Sequence, residues 1–289
     1  MQNIPLLVIV GETASGKSAL ALELAQRLDG ELICADSWTV RRELNIGSAK
    51  PSAEEQALVR HHLLDVVGPD EDFTAAVFKG LANDAIKDIA KRGKLPIMVG
   101  GTGLYVDGVL YDYGFLQEGD RSKRVKYDAM SVEEVLAEVQ AEGIELGDVD
   151  TRNKRRLIRL LETNGARPTR SELRENTLII GLRPDRDELN TRIERRVDAM
   201  LAAGLESEVR GLVERYGWEA EGLKGVGYGQ WRDAKSPEEA RQKIIKATAD
   251  LAKRQRTWFK RNNSIHWFDT PVKIDKIAAL ITTFFSAIR

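Results

Sequence analysis

The order of apolar and polar positions in the first hundred residues alternates between strand-like and helix-like segments. An unbroken apolar run at 6–10 and mainly apolar segments at 31–35 and 95–99 are typical of buried parallel strands. Between them, residues 18–28 and 73–91 repeat apolar positions at helical spacing, and residues 53–59 also favour a helix. This alternation predicts an α/β fold built on a doubly wound parallel sheet.

The pattern changes in the middle of the chain. Residues 115–176 show no strand pattern, but 131–142 form an acidic amphipathic helix pattern and 151–164 a basic one. Strand and helix patterns resume at 177–182, 186–201, 237–260 and 265–268, and a C-terminal helix follows. We therefore expect a core in two parts, 1–114 and 177–289, around a helical insertion at 115–176.

Composition narrows the class of protein. The 289 residues are 42% apolar, and 44 basic residues nearly balance 45 acidic ones, so net charge does not indicate a nucleic-acid partner. The single cysteine, Cys34, follows two apolar residues and is expected to be a small core residue rather than a nucleophile. Without a signal peptide pattern or a bilayer-length apolar run, we expect a cytoplasmic protein that does not enter a membrane. No long apolar seam is evident, which favours a monomer.

A glycine-rich motif follows the first strand. Residues 11–18 read GETASGKS and match G-x-x-x-x-G-K-[ST] between a strand and a helix. Such a loop turns its backbone N–H groups and a helix N-terminus toward an anion. Lys17 adds a positive charge, and the Ser18 hydroxyl is suited to Mg²⁺. The motif predicts a P-loop NTPase-like fold with a diphosphate or nucleotide site at Gly11, Glu12, Thr13, Ala14, Ser15, Gly16, Lys17 and Ser18. It leaves open whether the protein is a kinase, an NTPase or a transferase that releases diphosphate.

Further candidate residues follow two other strands and lie on one helix. Asp36 comes directly after the second strand, where a carboxylate can bind Mg²⁺, act as a general base or cap a turn. Thr102 lies in GGTG at 100–103 and can contact a phosphate or close a tight turn. Arg192 and Arg196 share one helix face and can clamp a diphosphate or remain solvated.

Two basic clusters indicate a polyanionic partner. One covers 152–159, and the other covers 253–261 around Trp258 and Phe259. Basic side chains can bind RNA phosphates, and the aromatic rings can stack on bases or pack in the core.

Together these segments resemble the tRNA dimethylallyltransferase family, also called tRNA isopentenyltransferases. The similar motifs run in order along nearly the whole chain: GETASGKS at 11–18, ADS at 35–37, NIGSAKPSAEE at 45–55, HHLLD at 61–65, FTAAVF at 73–78, PIMVGGTGLY at 96–105, RRLIRLLE at 155–162, RIERRVDAMLAAGLESEV at 192–209, GVGYGQW at 225–231 and LAKRQRTWFKR at 251–261.

The resemblance implies a reaction and roles for individual residues. It implies transfer of a dimethylallyl group from dimethylallyl diphosphate to N6 of the adenosine immediately 3′ of the anticodon in tRNA. Asp36 matches the general base, Lys17 and Arg196 match groups that contact the diphosphate, and Thr102 matches the threonine beside the leaving oxygen. The residues that match tRNA-contacting positions are Asp36, Ser37, Trp38, Thr39, Thr102, Arg155, Arg156, Leu157, Ile158, Arg159, Lys224, Gly225, Val226, Gly227, Tyr228 and Gly229.

The chain departs from the family pattern at three positions. Thr39 replaces a glutamine, Arg41 replaces a tyrosine, and Gly229 stands where a basic residue is common. These differences bear on the choice of tRNA more than on the reaction. Three alternatives remain: an adenylate isopentenyltransferase that acts on free AMP, ADP or ATP, a small-molecule P-loop kinase, and a non-catalytic tRNA-binding protein.

Overall fold

Two units make up the computed structural model, which describes residues 4–116, 121–147 and 149–287. The smaller unit is Tyr111–Glu172, and the larger unit contains the chain on either side of it. The sequence pattern placed the limits of the insertion at 115 and 176, because the first strand-like residue after it is Thr177.

The larger unit is built on a sheet of six parallel strands in the order β3-β2-β4-β1-β5-β6. The prediction of a doubly wound parallel sheet is confirmed. The strands are β1 (Leu6–Gly11), β2 (Gly30–Cys34), β3 (His61–His62), β4 (Leu95–Gly100), β5 (Thr177–Arg183) and β6 (Ile265–Asp269).

Eleven α-helices are present in the described residues, and α5 to α7 belong to the smaller unit. They are α1 (Lys17–Arg27), α2 (Ala53–Leu58), α3 (Ala75–Lys91), α4 (Gly103–Leu110), α5 (Arg121–Asp128), α6 (Val132–Ala141), α7 (Lys154–Glu162), α8 (Arg186–Ala202), α9 (Leu205–Tyr216), α10 (Pro237–Phe259) and α11 (Ile274–Ser286). No helix in the described ranges is long and apolar enough to cross a membrane.

Local sequence explains where these helices begin and end. Thr74 and Ser236 accept hydrogen bonds from backbone N–H groups in the first turns of α3 and α10, and Pro237 opens α10. Gly204 adopts φ 96° between α8 and α9, so it ends the long helix that the pattern placed at 186–201. The second helix, α9, is an element that the sequence pattern did not predict.

Separate hydrophobic clusters stabilise the two units. In the larger unit, one cluster joins α1 and α11 to the sheet, and another joins α8, α9 and α10. In the smaller unit, Val135 and Val139 of α6 pack with Leu157 and Leu161 of α7, which fits the amphipathic patterns of both segments. The predicted phosphate loop precedes α1, and the predicted arginine pair lies on α8. Both features therefore belong to the larger unit.

Candidate active site

The glycine-rich loop turns sharply between β1 and α1. Ala14 has φ 61° and Gly16 has φ 90°, and a side chain at Gly16 would strain this left-handed backbone. The Ser15 N–H donates to the Glu12 carbonyl at 3.2 Å, and Lys17 Nζ donates to the same carbonyl at 3.1 Å. The loop therefore places the lysine charge and the N-terminus of α1 at one point, as a phosphate cradle requires.

Lys17 has an altered proton affinity in this setting. Burial of the ammonium group and, secondarily, the positive charge of Arg196 lower the pKa of Lys17 to about 8, although Asp36 and Glu12 act in the opposite direction. An anion bound in the cradle would favour the protonated form of the lysine. Affinity for a polyphosphate is therefore tied to the protonation state of one side chain.

Asp36 and Thr102 meet because they follow neighbouring strands, β2 and β4. Thr102 Oγ1 accepts the Ser37 N–H at 3.2 Å, and the Thr102 N–H donates to the Ala35 carbonyl at 3.3 Å. Asp36 Oδ1 accepts the Trp38 N–H at 2.8 Å, which fixes the carboxylate at the carboxyl edge of the sheet. Within the described part of the chain, Asp36 Oδ2 has no hydrogen-bond partner.

Arg192 and Arg196 of α8 both reach the loop, so the predicted pair lies at the predicted phosphate site. Arg196 donates from a terminal guanidinium nitrogen to Thr13 Oγ1 at 3.0 Å. Arg192 donates to the Ser15 carbonyl at 3.3 Å and to Glu188 at 2.6 Å. Arg192 is therefore already held by protein partners, whereas Arg196 has donors left for a ligand.

A cavity of about 570 Å³ is lined by loop residues, by both arginines and by Asp36. Thr102 is not among its lining residues, although the neighbouring Gly100 is. The predicted residues that line it are Thr13, Ala14, Gly16, Lys17, Ser18, Asp36, Thr39, Arg192 and Arg196. The buried residues of the loop, Gly11, Glu12 and Ser15, do not line the cavity. They therefore support the loop from the protein interior.

Two residues of α10 hold the loop, and sequence reasoning missed both. Gln255 Oε1 accepts the Thr13 N–H at 2.7 Å, and its amide nitrogen donates to the Gly101 carbonyl at 3.1 Å. A methyl group at Gly101 would collide with that amide, which explains the glycine. Arg256 forms a two-point ion pair with buried Glu12, at 2.5 Å and 2.8 Å.

Part of the basic cluster at 253–261 therefore has a role other than the expected binding of RNA. Arg256 is engaged by Glu12 and is not a free RNA-binding group. Phe259 is buried in the core, and Trp258 donates its indole N–H to Asp107 at 2.9 Å. Only a subset of the cluster, including exposed Lys253 and Lys260, remains available to a polyanion.

Glu208 of α9 organises the NIGSAKP segment. Its carboxylate accepts backbone N–H groups of Asn45, Ile46 and Gly47 at 2.9–3.2 Å. It also accepts the hydroxyl hydrogen of buried Tyr228 at 2.8 Å, and burial together with this carboxylate raises the pKa of Tyr228. The motif residues 45–47 and Tyr228 thus meet at one carboxylate.

The segment 224–229 lies against the Asp36 loop in the same unit. A methyl group placed on Gly225 would lie 2.8–2.9 Å from ring atoms of Trp38, so the two segments are in close contact. Lys224 is exposed and pairs with Glu221 at 2.9 Å. Tyr228 is fully buried, so its side chain supports this segment and cannot contact RNA.

Two of the three residues that depart from the family pattern, Thr39 and Arg41, have different environments. Thr39 is buried and lines the cavity, and its hydroxyl has no hydrogen-bond partner among the described residues. Arg41 is buried and donates to the carbonyls of Gly68, Pro69 and Glu71 at 2.7–3.4 Å. Arg41 therefore fixes a loop, while Thr39 faces the site.

In the smaller unit, the predicted tRNA-contacting segment contains both exposed and buried side chains. Arg155 and Arg156 are exposed, whereas Leu157 and Ile158 are buried in the core of α6 and α7. The side chains of Leu157 and Ile158 therefore serve core packing, and tRNA contact by this segment stays a prediction. Arg159 donates to Glu162 at 3.3 Å and to the Leu116 carbonyl at 3.0 Å.

A protein-only metal cage is not present in the described residues, because no group of three histidine, cysteine or acidic side chains converges there. Mg²⁺ commonly takes one or two protein oxygens and completes its shell with phosphate oxygens and water. Ser18 lines the cavity, and its hydroxyl fits one position of such a donor set.

Comparison with known proteins agrees with this geometry. The family model described as IPP transferase matches residues 39–262. A tRNA dimethylallyltransferase of Bacillus cytotoxicus is 37% identical over 93% of this chain and 91% of its own, and tRNA dimethylallyltransferase 1 of Citrifermentans bemidjiense is 40% identical over 99% and 98%.

Solved structures of tRNA-directed transferases are also similar to this chain. The tRNA isopentenylpyrophosphate transferase of Bacillus halodurans is 35% identical, with a TM-score of 0.75 over 99% of this chain and 97% of its own. A eukaryotic dimethylallyltransferase acting on tRNA is 25% identical, with a TM-score of 0.82 over 99% of this chain and 80% of its own. With these matches along almost its full length, the chain belongs to the tRNA dimethylallyltransferase family, the IPP transferases.

Proposed function

We propose that this protein transfers a dimethylallyl group from dimethylallyl diphosphate to N6 of the adenosine immediately 3′ of the anticodon in tRNA. The observation that carries the proposal is that Asp36 and the phosphate cradle line the same cavity. A kinase also needs the cradle. Family membership and the tRNA-directed names of the relatives favour prenyl transfer.

The diphosphate end of the donor is held by the loop. Backbone N–H groups at the start of α1 and the charges of Lys17 and Arg196 stabilise the negative charge that develops as diphosphate leaves. Ser18 would help to hold Mg²⁺, which would supply further neutralisation of the negative charge on the leaving group. Thr102, fixed by its hydrogen bond with Ser37, would donate to the bridging oxygen.

Asp36 acts on the acceptor. The C1–O bond of the donor breaks and its electron pair leaves with diphosphate, while the N6 lone pair of adenine forms the new C–N bond. N6 then carries an extra proton, which Asp36 Oδ2 accepts. Since the amine is a weak nucleophile, most of the acceleration comes from positioning and from stabilising the leaving group.

RNA binding would use the exposed parts of the predicted segments. The Asp36 loop and the segment 224–229 lie side by side and would surround the flipped adenosine. Thr39 lines the cavity three residues after Asp36, at the position where the family pattern has a glutamine, so this position would lie near the flipped base. Arg155 and Arg156 would bind phosphates. We further propose that the protein acts as a cytoplasmic monomer.

The test uses purified protein, Mg²⁺, dimethylallyl diphosphate and an anticodon stem-loop RNA with adenosine 3′ of the anticodon. A matched stem-loop carries guanosine at that position, and AMP is a third acceptor. Mass spectrometry should detect one five-carbon unit on the adenosine RNA only. Modification of AMP without modification of RNA would assign the protein to the adenylate transferases, and no product would contradict prenyl transfer.

A further inference from the structure

The hydrogen-bonded ladder between β1 and β4 ends where two loops of the site begin. The last register pair of this ladder is Val10 with Gly100. After it, the chain from β1 becomes the phosphate loop, and the chain from β4 continues into the loop that carries Thr102. No backbone hydrogen bond joins 12–16 to 101–103, all of which are described residues. The ladder therefore does not by itself fix one loop relative to the other.

Gln255 of α10 links these two loops through its side-chain amide. Its Oε1 accepts the Thr13 N–H at 2.7 Å, and its Nε2 donates to the Gly101 carbonyl at 3.1 Å. These two hydrogen bonds form an amide bridge between the loops. A backbone N–H can only donate and a carbonyl can only accept, so both partners require the same orientation of the amide. Because a side-chain amide has the donor and acceptor of a peptide unit, Gln255 extends the hydrogen bonding of the sheet beyond the ladder.

The amide bridge lies between groups assigned to the donor and groups assigned to the acceptor. Thr13 Oγ1 also accepts a guanidinium N–H of Arg196 at 3.0 Å, so the Thr13 side of the bridge belongs to the diphosphate site. On the other side, Thr102 Oγ1 accepts the Ser37 N–H at 3.2 Å, and Ser37 directly follows Asp36. One buried side chain therefore connects the leaving-group contacts with the loop that precedes the proposed base contact.

We propose that Gln255 is a positioning residue for prenyl transfer, whose amide fixes the phosphate loop relative to the Thr102 loop. The inference rests on the proposed function, because it assumes an isoprenoid diphosphate in the cradle. Transfer requires the breaking C1–O bond, the Thr102 hydroxyl and the incoming N6 to be aligned together. Affinity for the diphosphate comes mainly from the charges of Lys17 and Arg196, which remain when the bridge is removed. The bridge therefore acts on the rate of transfer more than on donor binding.

Two other roles for Gln255 lead to different expectations. Gln255 is 9% exposed and lines the cavity, so it could bind the donor directly. Loss of a direct contact would weaken donor binding. A purely structural role would lower the stability of the protein but leave the transfer rate unchanged at temperatures where the variant is folded.

The experiment compares Gln255→Met with wild type, because methionine has a similar size and forms neither hydrogen bond of the bridge. The single-turnover rate with saturating donor and stem-loop RNA should fall by about a hundredfold, since small misalignments of reacting groups have effects of this size. The dissociation constant of dimethylallyl diphosphate, measured by calorimetry, should stay nearly unchanged. Gln242→Met is the matched control, because Gln242 is an exposed glutamine on the same helix that bonds only Glu238 among the described residues. It should alter neither quantity. Thermal unfolding identifies a temperature at which every variant is folded.

A second variant breaks the bridge from the opposite loop. A methyl group on Gly101 would overlap the amide nitrogen of Gln255, so Gly101→Ala should displace the amide and slow transfer as Gln255→Met does. In a Gln255→Ala background the overlap is gone, and the next atom near the methyl group is the Gly11 carbonyl oxygen at 3.5 Å. Gly101→Ala should then add little to the loss, because both changes act through the same contact.

Three results would overturn the positioning role. They are a Gln255→Met transfer rate close to that of wild type, a loss of donor affinity as large as the loss of rate, and additive effects of Gly101→Ala and Gln255→Ala. If Gln255→Met does not fold, Gly101→Ala alone decides, and a wild-type rate in that variant would reject the proposal.

Failure of the proposed function is recognised separately, because wild-type protein would then modify no RNA. The amide bridge is still tested in that case by hydrogen exchange, measured by mass spectrometry on peptides that cover 11–18 and 100–103. Gln255→Met should speed exchange in the phosphate loop, since the Thr13 N–H loses its acceptor. Exchange equal to that of wild type and of Gln242→Met would reject the bridge.

Discussion

Arg256, near the C-terminal end of α10, forms a two-point ion pair with Glu12 inside the phosphate loop. The two residues are 244 positions apart in the chain. Glu12 is 3% exposed, so its carboxylate depends on this partner. The ion pair joins the last long helix to the first loop and thereby helps to set the shape of the cradle.

Removing Arg256 should therefore weaken both fold and cradle. Arg256→Met leaves a buried carboxylate unpaired, and we expect the free energy of unfolding to fall by about 1–3 kcal/mol. The Michaelis constant for the donor should also rise. Denaturant unfolding and donor kinetics measure the two effects.

Arg254→Met is the matched control, because Arg254 is an exposed arginine on the same helix. Arg254→Met should change neither the free energy of unfolding nor the Michaelis constant for the donor by much. If Arg256→Met behaves like Arg254→Met, the ion pair does not support the loop.

The pKa of Lys17 predicts how diphosphate binding depends on pH. Since the pKa of this lysine is lowered to about 8, its charge is present below that pH and is lost above it. The dissociation constant for inorganic diphosphate should therefore rise as pH increases through about 8. Calorimetry across this range measures the constant.

Lys17→Arg provides the control, because an arginine keeps its charge across the range. The dependence of its dissociation constant on pH reports only the titration of the diphosphate itself. Superimposable profiles for wild type and Lys17→Arg would contradict the lowered pKa of Lys17.

Arg196 and Arg192 should differ in their contribution to catalysis. Arg196 bonds only Thr13 among the described residues and has donors left for the leaving group, so Arg196→Ala should lower kcat by about a hundredfold. Arg192 is held by Ser15 and Glu188, and Arg192→Ala should have a smaller effect on kcat. Steady-state kinetics with saturating RNA measures both. Equal losses would show that the two arginines share the diphosphate.

The close contact between Trp38 and Gly225 predicts a pair of compensating substitutions. Gly225 has φ −75°, which alanine also adopts, so Gly225→Ala acts through collision with the indole ring alone. We expect weaker RNA binding and unchanged donor binding, measured by filter binding and calorimetry. Adding Trp38→Leu should restore part of the RNA affinity. Failure of the double variant to recover would mean that the contact does not position the RNA-binding segments.

The sequence predicted the elements and residues whose signals are local. Apolar segments predicted five of the six strands. Four of them, β1, β2, β4 and β5, are almost fully buried, as strands covered on both faces are, whereas β6 is a partly exposed edge strand. The two-residue strand β3 is too short for such a pattern. The meeting of Asp36 with the Thr102 loop could also be expected, because the carboxyl ends of parallel strands share an edge.

Residues that act through distant contacts could not be predicted in this way. Gln255 and Arg256 belong to a basic segment that suggested RNA binding, and only the fold brings them to Thr13 and Glu12. Cys34 was assigned to the core from its apolar neighbours, and it is buried, but it also lines the cavity because its strand ends there. On α7, Arg155 is exposed and Leu157 is buried. This difference likewise depends on the packing of the smaller unit.

The central claim, that Asp36 removes the N6 proton during prenyl transfer, is tested most directly by single-turnover reaction of stem-loop RNA. Nucleosides from the digested RNA are identified by mass spectrometry, for wild type and for Asp36→Asn, at saturating donor. The account predicts dimethylallyl adenosine 3′ of the anticodon with wild type, and a rate lower by about 10²–10⁴ in Asp36→Asn with unchanged donor affinity. A rate in Asp36→Asn close to that of wild type would contradict it.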